Sequence, residues 1–319
     1  MGILVKDKSD RFNSDTMATQ PAAYHSIGVG FQHNRINGYN PLMGQLFADT
    51  DQAVEDELIA RLSAMPPARK LDMVAELGAA VRQLMLVGLS ERHPDDTPEQ
   101  ARRRLTQLLY GPEAAAIPLG STRMLTPMTP QPILVMLSVT NILESLGVAY
   151  VVVGSMASAL HGVGRATIDV DLLAALEDDH VAPLLAALGP DYYADKPTIR
   201  EAVARQGSFN LIHLPTLFKV DVFVATPRPF DGRQLQRRVQ GSVSDEEQGD
   251  VYLLSAEDVV LAKLDWYRLG GGVSDRQWQD ILGVLAVQRG RLDAAYLRAG
   301  AAELSVADLL ERALEETAP

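Results

Sequence analysis

The chain has 319 residues, 47% hydrophobic and 22% charged, the balance of a folded protein large enough for two modest domains. It has no cysteine, which removes disulfides, thiolate zinc sites and cysteine nucleophiles together. The net charge of −12 is uneven: residues 1–130 hold 13 basic and 15 acidic groups, residues 131–319 hold 16 and 26. That disfavours broad electrostatic binding to nucleic acid but leaves room for a local basic pocket. The six histidines show no metal-ligand spacing. Only Ile3-Leu4-Val5 precedes the first charges, far short of a signal peptide. No run approaches the ~20 apolar residues of a membrane helix, so a cytoplasmic protein is expected.

In chain order, residues 1–46 are polar and aperiodic and are expected to be disordered. Residues 47–115 read as a small all-helical module. Val54, Leu58, Leu62 and Met65 share one helical face, and Val74, Leu77, Val81, Leu84 and Gly88 share another. Thr97, Pro98 and Gln100 form a capping-box pattern that opens a third helix. Arg102, Arg103 and Arg104 on that helix read as a solvated face. Residues 116–131, rich in Pro and Thr, read as a linker.

From residue 132 helices and strands alternate. An amphipathic helix ends at Gly147. "AYVVVG" is a strand, "SMASALHG" a short helix, "IDVDLLAAL" a strand and "DDHVAPLLAALG" a helix. "SFNLIHL" and "LFKVDVFVAT" form a hairpin across Pro215-Thr216. Helices over "SAEDVVLAKLDWYRLG" and "SDRQWQDILGVLAVQRG" and two shorter ones close the chain. The expected fold is α/β (α+β): a small mixed-sheet core over 132–230 and a helical extension over 231–319.

Side chains i and i+2 on a strand face the same way, so Asp169 and Asp171 share one face while Val170 and Leu172 face the core. Two carboxylates that close repel unless a cation lies between them, and hard oxygen ligands suit Mg²⁺ or Mn²⁺. In "LFKVDVFVAT", Asp221 stands with Lys219 on the face opposite Phe218, Val220, Val222 and Val224. If the two strands are neighbours, three acids converge, as two-metal phosphoryl or nucleotidyl transfer requires. Gly154-Ser155, at a strand-to-helix turn, offers close backbone approach, helix N–H groups and a hydroxyl to phosphate oxygens.

The stretch "VVVGSMASALHGVGRATIDVDLLAAL", with a later strand acid at Asp221, resembles the signature of the DNA polymerase β-like nucleotidyltransferase superfamily. Arg165 and Thr167 leading into the acids resemble its AbiEii-like toxin and minimal-nucleotidyltransferase group. The likeness spans about residues 132–300. It implies a metal-dependent transfer of an NMP from an NTP to a hydroxyl of an RNA 3′ end or a protein side chain, in a toxin–antitoxin or phage-defence setting. It implies Asp169, Asp171 and Asp221 as metal ligands, with Asp221 also helping to deprotonate the acceptor. Gly154 and Ser155 would hold the β- and γ-phosphates, with Arg165 and Lys263 neutralising them and Thr167 nearby. Read from the residues alone, Lys263 is a snorkelling surface lysine, Arg165 a helix cap and Asp280 a structural partner of Lys263 or Arg276.

Two alternatives stand beside this reading. One is a catalytically silent nucleotide-binding or interaction module. The other is an Asp-x-Asp glycosyltransferase, which needs neither Gly154-Ser155 nor Asp221. The helical module is expected to be a regulatory partner of the transferase, or to meet an antitoxin.

Overall fold

The computed structural model describes residues 46, 50–112, 117, 131–242 and 249–318. The expected disordered segment 1–46 (Leu46 apart) and linker 116–131 (Ile117 and Gln131 apart) lie outside them. The described residues form an α/β structure built on a seven-stranded mixed sheet.

Three helices come first: α1 (Gln52–Ala64), α2 (Pro67–Arg92) and α3 (Pro98–Tyr110). Then follow α4 (Gln131–Ser145), β1 (Tyr150–Val153), α5 (Gly154–His161), β2 (Asp169–Ala174), α6 (Asp178–Leu188) and β3 (Tyr192–Tyr193). Next come α7 (Lys196–Arg205), the hairpin β4 (Ser208–His213) and β5 (Phe218–Val224), α8 (Pro229–Gln236), β6 (Val239–Ser242) and β7 (Asp250–Leu253). Four helices end the chain: α9 (Ala256–Leu269), α10 (Asp275–Val287), α11 (Ala294–Glu303) and α12 (Ala307–Glu316). The strand order is β3-β4-β5-β2-β1-β7-β6. The β2–β5 and β1–β7 pairs are parallel and the rest antiparallel.

Strand alternation sets the two faces. Val170, Leu172, Val220, Val222 and Val224 pack with Met136, Val139, Leu184 and Ile199 of α4, α6 and α7. Each such side chain contributes roughly 1.5–3 kcal/mol on burial. On the other face, Val151 and Leu173 join Val260 and Leu264 of α9 and Ile281 and Val284 of α10. Asp171 and Asp169 follow Leu173 back along that same face of β2.

The N-terminal helices differ from their expected faces. In α1, Val54 is 60% exposed while Glu55 is buried, accepting from the Leu46 N–H at 2.9 Å. In α2, Val74 is buried as read, but Leu84 is 72% exposed, and Lys70, Leu71, Ala75, Gly78 and Leu89 are buried. The small Gly78 lets α2 come close to the backbone before β2. Arg102 is buried too and donates to the Leu214 carbonyl, while Arg103 and Arg104 pair at the surface with Glu99 and Asp96. By length and composition α2 is apolar enough to cross a membrane, contrary to the sequence expectation. Here its Leu71, Val74 and Ala75 join the core of the sheet. Its Arg82 bonds the Ile168 and Thr216 carbonyls at 3.3 and 2.8 Å. The Thr97 capping box on α3 forms as read.

A methyl at Gly78 would meet the Thr167 carbonyl oxygen at 2.8 Å. Gly→Ala inside a helix ordinarily gains about 1 kcal/mol. Here the overpacking reverses the sign, and Gly78→Ala is expected to lose about 1–3 kcal/mol in urea denaturation. A variant as stable as the parent would contradict the close approach.

Candidate active site

The site begins with strand register. In the parallel β2–β5 pair, Asp171 stands opposite Asp221 and Asp169 opposite Lys219. Lys219 Nζ donates to Asp221 Oδ2 at 2.7 Å and lies 3.6 Å from Asp169 Oδ2. Thr167 Oγ1 donates to Asp169 Oδ1 at 2.9 Å. Three acids and one lysine therefore share one face of two adjacent strands.

The strand-to-helix turn closes on them. Val153 is opposite Asp171 in the antiparallel β1–β2 pair. Gly154 follows with φ +62°, and a Cβ there would lie 1.9 Å from Asp171 Oδ2. Only glycine fits that backbone and that approach. No side chain caps the first turn of α5, so its leading N–H groups are available to an anion.

The cations come from the loop after α5 and from α9. Arg165 donates to Ser155 Oγ at 2.6 Å and to both Asp280 oxygens at 2.9 and 3.1 Å. Lys263 Nζ donates to Asp280 Oδ2 at 2.6 Å. Ser255 and Ser274 cap the N-termini of α9 and α10, the helices that carry Lys263 and Asp280. Arg165 therefore does not cap the preceding helix, and Lys263 does not snorkel to the surface. Gly154, Ser155, Arg165, Asp171 and Lys263 line one cavity of about 340 Å³. Asp169, Asp221 and Thr167 are not in its lining and flank it along the strands. Trp266 also lines it, edge-on to Phe223 with centroids 5.9 Å apart.

Proton affinities follow the crowding. Burial, then Asp169 and Asp221, push Asp171 up to about 7 against the pull of Lys219 and Lys263. Burial also raises Asp221, opposed by Lys219. Burial works against the charge of Lys219, yet Asp221 and Asp169 raise it. Burial lowers Lys263 in spite of Asp280. Burial opposes the charge of Asp280, but Arg165 and Lys263 hold it below the usual carboxylate range.

The acids form no ready-made cage. Among the described residues no three His, Cys, Asp or Glu side chains are grouped to hold a metal ion. Lys219 and Thr167 occupy Asp169 and one oxygen of Asp221. Asp221 Oδ1, however, is buried without a hydrogen-bond partner. An oxygen left bare in that way, opposite Asp171, fits one hard divalent ion. Mg²⁺ is ordinarily held by one or two carboxylates plus substrate phosphates.

Comparisons with known proteins add the following. Residues 63–126, which include all of α2 and α3, match the family model described as Rv0078B-related antitoxin. No curated protein sequence matches the chain. Among solved structures the chain is similar to an antigenic nucleotidyltransferase-like protein from Paracoccidioides brasiliensis. That pair is 18% identical with a TM-score of 0.38, over 58% of this chain and 93% of the other. It is also similar to ANT(2")-Ia in complex with adenylyl-2"-tobramycin, 13% identical with a TM-score of 0.37, over 56% and 98%. The solution structure of the antibiotic-resistance factor ANT(2")-Ia is 15% identical with a TM-score of 0.37, over 58% and 97%.

Sequence reading passed over two groups at the acids. Lys219 is visible by its i,i+2 spacing from Asp221, but that spacing assigns it no role at the acids. Arg82 was visible as a lone cation in an apolar helix. Its guanidinium is near enough to Asp169 to feel its charge, as is the Tyr110 hydroxyl, which donates to the Leu217 carbonyl.

Without metal, the folded chain holds the Asp171 proton more tightly than the unfolded chain does. Its contribution to stability therefore falls as pH rises from 3.8 to about 7. Asp171→Asn removes that loss. In metal-free buffer the variant is expected to melt higher than the parent at pH 8, with the gap closing towards pH 4. A variant that melts lower at pH 8 would contradict the crowding.

Proposed function

We propose that this chain is a metal-dependent nucleotidyltransferase that moves an NMP from an NTP to an acceptor hydroxyl, as the AbiEii-like toxin group does. The observation that carries this is the register of Asp171 with Asp221 beside the Gly154, Ser155, Arg165 and Lys263 cradle. Arg165 and Lys263 bind the β- and γ-phosphates, the Ser155 hydroxyl and the first N–H groups of α5 donate to them, and Asp280 holds both cations in place. A divalent ion, Mg²⁺ or Mn²⁺, would be held by Asp171 and Asp221 with Asp169 beside them, and would supply positive charge at the reacting phosphate. The acceptor oxygen bonds to the α-phosphorus, the bond to the α,β-bridging oxygen breaks, and pyrophosphate leaves. The acceptor proton passes to Asp221.

The acceptor is an RNA 3′ end or a protein hydroxyl. Full-length protein with Mg²⁺, each α-³²P-labelled NTP and a cell extract is expected to label one of the two, separated by nuclease and protease digestion. Asp169→Asn and Asp171→Asn are each expected to cut labelling on the order of 10²-fold or more. No label with any NTP on a folded chain would falsify the enzymatic reading. It would leave the silent nucleotide-binding module.

In this reading α2 and α3 restrain the transferase from within the same chain. Support comes from the antitoxin description of the family that residues 63–126 match. It also comes from Arg82, which bonds the carbonyls of Ile168, Thr216 and Leu217 where β2 and β5 begin. Arg82→Ala with Tyr110→Phe is expected to raise labelling several-fold. Unchanged labelling on a folded variant would remove the restraint and leave the chemistry.

A further inference from the structure

We propose that Lys219 is a built-in second cation, standing where a two-metal site would hold one of its ions, so that the three acids take a single divalent ion. This rests on the proposed function above. Strand register places Lys219 opposite Asp169 and two residues before Asp221 on the same face. Its ammonium bridges the two outer acids, 2.7 Å from Asp221 Oδ2 and 3.6 Å from Asp169 Oδ2. Phe218 and Val220 on either side are fully buried, so the strand under Lys219 is anchored.

Charge counting gives the consequence. Three carboxylates carry −3, and Lys219 leaves −2, which one divalent ion balances. The other nearby cations are committed elsewhere. Arg82 gives its hydrogens to the Ile168, Thr216 and Leu217 carbonyls. Lys263 donates to Asp280, and Arg165 to Asp280 and Ser155. What remains for a metal is Asp171 and the unpartnered Asp221 Oδ1. An ammonium is a compact point charge on a flexible stem, suited to a place otherwise taken by a hydrated ion.

The test counts ions. Full-length protein is titrated with MnCl₂ alone, and free Mn²⁺ is followed by its electron paramagnetic resonance signal. Bound ions are those lost in Asp171→Asn. One ion per chain is expected for the unsubstituted protein and for Lys219→Arg, which keeps the charge. Lys219→Met keeps the length of the side chain without the charge, and two ions are expected. Circular dichroism confirms that each variant is folded. Two ions on the unsubstituted chain, or an unchanged count in Lys219→Met, would overturn the role of Lys219 and leave the proposed function standing. No ion on any of them would overturn both.

Discussion

The parallel pairing of β2 with β5 is the constraint on which the site depends. It sets Asp171 against Asp221 on one face of the sheet while Val170, Leu172, Val220 and Val222 are buried on the other. Like charges at that separation push the strands apart, and the apolar face opposes them. A slip of one residue would turn the carboxylates into the core, so the register cannot relax that way. Two local features make the crowding tolerable. Lys219 neutralises part of it, and Gly154, at φ +62°, leaves room for the Asp171 carboxylate.

The second half of the site is assembled by packing between helices. Asp280 of α10 holds Lys263 of α9 and Arg165 from the loop before β2. A buried ionic network of this kind adds little to stability over apolar side chains of the same volume. What it adds is two oriented cations in the lining of a cavity that the Asp171 carboxylate also lines. Charges of both signs lining one cavity suit a ligand that carries both a bound cation and a polyanion.

The strands and most helices were legible because their alternation is local. "IDVDLL" and "LFKVDVFV" each declare a buried face and a charged face; burial alternates along all of β5 and from Asp169 to Leu172 in β2, after which Leu173 and Ala174 are both buried. The residues that meet in the site were legible as types, but their contacts are not local. Nothing in the spacing of Arg165, Lys263 and Asp280 shows that one carboxylate would hold both cations. β6 and β7 were missed because "VQGS" has no apolar alternation and β7 is four residues long. α7 and α8 went unread for a related reason: each buries only two or three residues. In α2 the apolar stripe misled beyond Val74, since the helix also packs through Leu71, Ala75 and Gly78, and at Gly78 small size matters more than hydrophobicity.

In the proposed reaction the acids and the cation pair are two halves of one site. A crystal of the full-length protein grown with Mn²⁺ and inorganic triphosphate tests it most directly. An anomalous manganese peak is expected within bonding distance of Asp171 and Asp221, with the triphosphate running from it to Ser155, Arg165 and Lys263. Manganese away from the acids, or triphosphate away from Lys263 and Arg165, would contradict it.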